Sequence, residues 1–394
     1  MLLSTALFRA AIHPTTAAFT AVTFLSFWLS ANVLAAERQK NAAESPPRPI
    51  VIAHRGASGY LPEHTLAAKA LAYGMKVDYI EQDLVMSKDD HLIVMHDIYL
   101  DNITDVAQQF PGRARKDGHF YAIDFTLAEL RQLQVSEPFT NHDGNSQALY
   151  PGRFPVWSSR FRLSTFEEEL ELIQGLNKSL GYNTGIYPEI KKPYFHHREG
   201  KDIASRTLDV LKQYGYIESP DKVFLQSFDA EELQRIHHQL MPAREMDLPL
   251  VQLIAVTDWG EKHVEKEGRS ANYRYDWMLT PEGLEKISGY AQGIGPWFPM
   301  LVESSGSLFK ADFKPNELTA TAHSLGLKVH PYTFRADTEK LPAGITDFAQ
   351  LVDFYVENVG VDGLFTDQPD QVIDYLDQRM QGREERKEPS LQAR

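Results

Sequence analysis

The side chains able to do chemistry fall into a few short runs. The first is Ala53-His54-Arg55-Gly56-Ala57-Ser58-Gly59, which sets an imidazole beside a guanidinium. Imidazole moves protons near neutral pH, and guanidinium grips two oxygens of an anion at once. In Tyr79-Ile80-Glu81-Gln82-Asp83-Leu84 the spacing of two puts Glu81 and Asp83 on one face of a strand. Two such carboxylates pointing inward repel each other unless a cation neutralises them, which makes a divalent metal the economical explanation. In Tyr187-Pro188-Glu189-Ile190-Lys191, Glu189 can complete an oxygen cage with Glu81 and Asp83, and Lys191 on the same side can offset an anionic ligand. The apolar run His91-Leu92-Ile93-Val94-Met95-His96-Asp97 follows the turn-like Ser87-Lys88-Asp89-Asp90, so a hairpin returns His96 toward the same face. Paired imidazoles supply an acid and a base. Singly, each run has a plainer reading: a surface turn for His54-Arg55, an exposed polar strand for Glu81 and Asp83, a structural histidine for His96. Their order at successive strand ends favours one joint site.

Elements must deliver these side chains to one place. Short apolar runs at residues 50–53, 79–84, 185–190, 223–227, 250–256, 293–295, 328–332 and 361–366 alternate with longer segments carrying helix-start signals. That alternation marks repeated βα units of a parallel sheet, and eight of them predict a TIM (β/α)8 barrel in the α/β class. Ser164 three before Glu167, Asp229 three before Glu232 and Thr280 before Pro281 are the expected helix starts. Residues 101–163 are too long, turn-rich and aromatic for an ordinary βα connection and are read as an insertion over the barrel mouth, after the second strand. A second irregular stretch, 258–277, carries Trp259, Tyr273, Tyr275 and Trp277. His196 and His197 are expected in a loop near the mouth, solvated rather than in contact with substrate.

The chain's 394 residues, 43% of them hydrophobic, suffice for one catalytic domain, expected over 50–376. A formal charge of −14 argues against a nucleic-acid partner. The absence of cysteine excludes disulfides, thiolate metal sites and a cysteine nucleophile. Residues 17–34 are apolar or small and uncharged, and Ala35 and Ala36 follow, the pattern of a secretory signal peptide over 1–36. Arg9 is its one clear positive side chain, and an uncleaved anchor is the alternative, since the apolar run approaches a bilayer's thickness. A proline-bearing linker is expected over 37–49 and a charged, disordered tail over 377–394.

Taken together, His54-Arg55-Gly56, Pro62-Glu63-His64-Thr65, Glu81-x-Asp83, Val94-x-His96-Asp97 and Glu189-x-Lys191 resemble the glycerophosphodiester phosphodiesterase family, in its bacterial periplasmic branch. The resemblance extends over residues 50–376 and takes in Gln226-Ser227-Phe228, His330-Pro331-Tyr332-Thr333 and Gly363-Leu364-Phe365-Thr366-Asp367. It departs at His64, where many members carry Asn. The resemblance implies a TIM barrel with an insertion after the second strand and a divalent ion on Glu81, Asp83 and Glu189, calcium before magnesium. It implies general acid and base roles for His54 and His96, and hydrolysis of small glycerophosphodiesters to glycerol 3-phosphate and an alcohol. A neighbouring glycerol hydroxyl would attack phosphorus to give a cyclic phosphate that water opens. Arg55 and Lys191 would offset phosphate charge, while Phe228, Trp297 or Phe298 would pack against glycerol carbons, ordinary barrel packing being the simpler role for these aromatics. Export to the periplasm and no stable membrane docking of the mature domain are expected, and a homodimer is compatible with the sequence. The competing readings are a lysophospholipase D-type or sphingomyelinase D-type phosphodiesterase acting on lipid, and a non-enzymatic envelope binding protein that keeps the fold.

Overall fold

The computed structural model describes residues 48–142, 145–266, 269–303 and 314–387. The expected leader, most of the linker and residues 388–394 of the tail lie outside these.

Eight parallel strands form the centre: β1 Ile50–Ala53, β2 Tyr79–Met86, β3 Gly185–Ile190, β4 Leu225–Ser227, β5 Leu250–Ile254, β6 Gly293–Pro296, β7 Lys328–Val329 and β8 Gly363–Thr366. Each pairs with its sequence neighbour, and β1 pairs with β8. The last gap closes through Asp362 N–H to the Val329 carbonyl (3.0 Å), Phe365 N–H to the Pro331 carbonyl (3.1 Å) and Phe334 N–H to the Phe365 carbonyl (2.8 Å), so the sheet is a barrel. All eight expected strands are present. β7 is shorter than expected, although the His330 and Tyr332 amides still donate to the Ile294 and Pro296 carbonyls of β6 at 2.9 and 3.1 Å.

The two-residue alternation of a strand sorts side chains into two environments. Val51, Ile80, Leu84, Ile186, Leu225, Leu250, Ile294 and Leu364 point outward into the main apolar cluster under the surrounding helices. Ile52, Tyr79, Tyr187, Val251 and Phe365 point inward and fill the barrel floor. Continuing the inward parity toward the strand ends puts His54, Glu81, Asp83, Glu189 and Gln226 above this floor, at the end where barrel enzymes carry their chemistry.

Helices begin where side chains can cap them. Asp229 accepts from the amides of Glu231 and Glu232, and Thr280 accepts from Gly283 with Pro281 in the first turn. The third expected start shifts by one residue: Thr165 and Glu168 form the capping box of helix Phe166–Leu180. Ser164 instead pairs with the strand Leu92–Val94 and gives its hydroxyl to Glu169 at 3.0 Å.

Leu92–Val94 lies antiparallel to the end of β2, with Leu84 opposite Val94, the hairpin expected from the sequence. The inserted segment follows it and gathers its own core from Ile98, Leu100, Phe120, Tyr121, Phe125, Leu130, Leu133 and Val135. After β5 the second irregular stretch forms a small hairpin, His263–Lys266 with Arg269–Asn272. The last helix, Pro369–Lys387, runs through the start of the expected disordered tail. Arg379 pairs there with Glu357 and Asp353, so charge on one face ties a segment with little to bury. No helix among the described residues is long and apolar enough to cross a membrane.

Candidate active site

Three carboxylates converge at the barrel mouth. β2 delivers Glu81 and Asp83, β3 places Glu189 directly opposite Asp83, and one oxygen from each lies within 4.8 Å of the others. All three are buried. Burial and the neighbouring Asp83 push Glu81 up to about 8, and burial raises Glu189 well above the usual carboxylate range although Lys191 opposes it. Burial acts on Asp83 as well, but Lys191 and His64 outweigh it and hold this carboxyl well below its ordinary value.

The donor set fits a hard divalent cation. Oδ1 of Asp83 is buried without a protein hydrogen-bond partner, while Oδ2 accepts from His64 at 2.8 Å. One oxygen of Glu81 takes the Arg55 backbone amide at 2.8 Å and the other takes Gln226 Nε2 at 3.1 Å. The carboxylates are thus held in place by protein donors, and Asp83 Oδ1 is left for a ligand from outside the protein. A second group, His197, Asp202 and Glu232, also brings candidate ligand atoms together. There Arg235 already contacts both acids, at 2.6 Å each.

His54 sits immediately after β1, buried, with Nδ1 2.6 Å from Asp367 Oδ1 and Nε2 3.8 Å from Glu81. Arg335 and His54 keep Asp367 well below its ordinary pKa despite its burial, so it is ionised and accepts the Nδ1 proton. Burial first, then Arg55, lowers His54 to about 4, so its imidazole is neutral at neutral pH; with the proton on Nδ1, Nε2 holds the lone pair and faces the Thr333 hydroxyl at 3.5 Å. His96 lies half-buried beyond the hairpin, its pKa held well below 6.5 by burial, Arg55 and Lys191. The chain reaches it through Met95, whose amide donates to the Asp83 carbonyl at 2.9 Å, so His96 follows directly on the strand end that carries the acids.

Arg55 adopts a left-handed backbone (φ 58°), a costly conformation for a residue other than glycine, and bonds Glu63 at 2.7 Å. The next residue has to be glycine: at Gly56 (φ 88°) a Cβ would lie 2.9 Å from the backbone of Ala68. Lys191 reaches Glu189 at 2.8 Å and stands 5.5 Å from the centre of the Phe228 ring. Phe228, half-buried, therefore borders the site. Trp297 stacks edge-on with Trp259, and Phe298 packs on Phe334 and Tyr355 in the main core, which accounts for its burial.

The expectation that His196 is solvated is corrected. It lies on helix Pro193–Arg198, buried, accepting from the Met86 amide at 3.1 Å and donating to the Lys192 carbonyl, so it braces the end of β2. His197 is the exposed one and faces Glu232 at 3.2 Å.

Several residues of the site carry no role in the sequence reading. Asp367 is one, although an acid directly after the last barrel strand is a readable signal. Lys69 and Glu169 are others. Both are fully buried and 3.1 Å apart, and Lys69 also bonds His64 Nδ1 at 3.1 Å and the Glu81 carbonyl. An ammonium only donates, so His64 Nδ1 accepts and its Nε2–H donates to Asp83.

Residues 54–371 match the Glycerophosphoryl diester phosphodiesterase family. A glycerophosphodiester phosphodiesterase of Haemophilus influenzae is 51% identical over 333 residues, which are 83% of this chain and 89% of that protein. One of Treponema pallidum is 43% identical over 328 residues, 83% of this chain and 91% of that protein. Among solved structures, a putative glycerophosphoryl diester phosphodiesterase from Silicibacter pomeroyi shares the fold with a TM-score of 0.58 at 23% identity, covering 85% of this chain and 95% of that one. An Oleispira antarctica phosphodiesterase, solved with the product sn-glycerol-3-phosphate, shares it at 0.53 and 21% identity, covering 84% and 97%. With its family match covering residues 54–371 and its relatives matched along most of their length, this chain belongs to the glycerophosphoryl diester phosphodiesterase family.

Proposed function

We propose that the chain hydrolyses glycerophosphodiesters to sn-glycerol 3-phosphate and an alcohol, with a divalent cation, calcium before magnesium, held by Glu81, Asp83 and Glu189. The observation that carries the reading is His54, held at Nδ1 by Asp367 with Nε2 toward a three-carboxylate cage, on whose strand end the hairpin leading to a second imidazole, His96, is seated.

When bound, the cation would polarise the phosphoryl oxygens. The residues do the rest. Asp367 holds His54 by Nδ1, so Nε2 takes the proton from the glycerol hydroxyl next to the ester as that oxygen attacks phosphorus. That hydroxyl is tethered to its target, which removes the entropy cost of bringing in a nucleophile and makes a cyclic phosphate the natural first product. Once the anionic phosphate is bound, His96 takes up a proton from solvent and gives it to the departing alcohol oxygen. An anionic phosphate beside it offsets Arg55 and Lys191, the two cations that help keep it unprotonated in the free enzyme. In the second half the roles reverse: His96 takes a proton from water, and His54 returns its proton to the ring oxygen. Lys191 and Arg55 face the phosphate charge, and Phe228 lines the glycerol side.

The same reading takes the protein to be exported to the periplasm, supported by the apolar residues 17–34 and the small Ala35 and Ala36. The test is product identity. Purified mature chain with calcium is given glycerophosphocholine and, separately, lysophosphatidylcholine. The proposal expects glycerol 3-phosphate and choline from the first and far slower turnover of the second; phosphocholine as product, or preference for the lysolipid, would overturn it.

A further inference from the structure

Resting on that reading of the site, we propose that Arg153, contributed by the inserted segment, is a positioning residue for the catalytic base: it fixes Asp367, and through it His54.

Its side chain is only 5% exposed and reaches the segments that follow β1, β7 and β8. Nε and Nη2 form a fork on Asp337, at 2.9 and 2.6 Å, in the loop after β7. Nη2 also gives to Asp367 Oδ2 at 2.6 Å, just past β8, and Nη1 gives to the Ser58 carbonyl at 3.2 Å, after β1. The Tyr150 ring lies 3.8 Å from the guanidinium carbon and covers it.

The consequence for His54 is geometric. Asp367 has two oxygens: Oδ1 takes His54 Nδ1, and Oδ2 is shared between Arg153 and Arg335 Nε at 2.8 Å. A carboxylate anchored at Oδ2 cannot rotate about its Cβ–Cγ bond, so Oδ1 stays aimed at the imidazole and the ring keeps Nε2 toward Glu81 and the substrate. Each anchor holds Asp367 by one nitrogen, but the Arg335 side chain is 25% exposed, whereas that of Arg153 is 5% exposed and also bonds Asp337 and the Ser58 carbonyl. Ser58 adds to the coupling, because its hydroxyl donates to the His54 carbonyl at 2.7 Å. The insertion, which reads as a lid added to a complete barrel, is on this account the part that keeps the base in line.

The test uses the full mature chain. Arg153→Ala should lower kcat by about tenfold to a hundredfold, the usual cost of losing a group that orients a site residue, with KM changed less than about threefold. The downfield proton resonance of His54 Nδ1–H, assigned with His54→Asn, should weaken or shift in Arg153→Ala, and added guanidinium should restore part of kcat. Arg153→Lys, which keeps the charge and loses the fork, should fall between. A folded Arg153→Ala with unchanged kcat, or with an unchanged His54 resonance, overturns the proposal. If that variant does not fold, Asp337→Asn loosens the fork and must show the same resonance change and the same loss of kcat. A wild-type chain that released no glycerol 3-phosphate would defeat the activity reading, while the resonance would still decide the network.

Discussion

His64 gives a sharp test of how the acidic cage is held. It donates from Nε2 to Asp83 Oδ2 at 2.8 Å and accepts from Lys69 at Nδ1, which leaves Asp83 Oδ1 for a ligand from outside the protein. In His64→Asn the shorter amide cannot span both partners. Asparagine tolerates the left-handed backbone found there (φ 58°), so strain does not confuse the result. Lys69 keeps Glu169 at 3.1 Å, and the buried ammonium stays paired. What is lost is one hydrogen bond to a charged acceptor, about 1.5–3 kcal/mol. If that loss falls on the cation-binding conformation, calcium affinity drops roughly tenfold to a hundredfold, the range known for groups that orient a metal ligand. Isothermal titration of calcium into chelator-treated protein measures this directly, with Asp83→Asn as the control that abolishes binding. A His64→Asn variant that binds calcium within twofold of the wild type would show that His64 does not hold Asp83 for the ion and serves only in packing.

Asp367→Asn replaces the anion that fixes the His54 tautomer, so kcat should fall by about 10³ or more at neutral pH with calcium affinity unchanged; steady-state kinetics beside calcium titration check both. The buried histidines predict an acid-labile fold. His196 is lowered by burial to about 4, against 6.5 in the unfolded chain, so the unfolded state binds more protons between these values. Stability is therefore full above pH 6.5 and falls as pH drops toward 4, with His196 alone contributing on the order of 3 kcal/mol of that loss. Urea midpoints from pH 7 to 4.5, in chelator, should fall less steeply for His196→Gln, and parallel curves would show that His196 does not carry the effect.

What the sequence made readable follows from what is local. Strand parity alone puts Glu81 and Asp83 on the inward face and Ile80 and Leu84 outward, and the structure keeps that division. The hairpin that returns the chain to His96 is likewise a matter of a turn and an apolar run. The helix start near residue 164 moved by one because Thr165 has both the capping hydroxyl and Glu168 at the right distance, while Ser164 is taken up by a strand pairing. His196 was unreadable because its partner, the Met86 amide, is 110 residues away. The same holds for Arg153 and Asp367, separated by 214 residues, and for Lys69, whose burial beside Glu169 no local pattern announces. The last helix outran its composition because Arg379 finds Asp353 and Glu357 on a neighbouring element.

The Glu81, Asp83 and Glu189 cage and the two imidazoles are proposed to form one machine with separable parts. The most direct measurement is glycerol 3-phosphate release from glycerophosphocholine by chelator-treated chain as calcium is titrated back, run beside a His54→Asn/His96→Asn double variant whose calcium binding is followed in parallel. The expected outcome is no release without the ion, recovery that tracks its binding in the wild type, and a double variant that still binds calcium and releases nothing. Undiminished release in chelator, or turnover by the double variant, would contradict it.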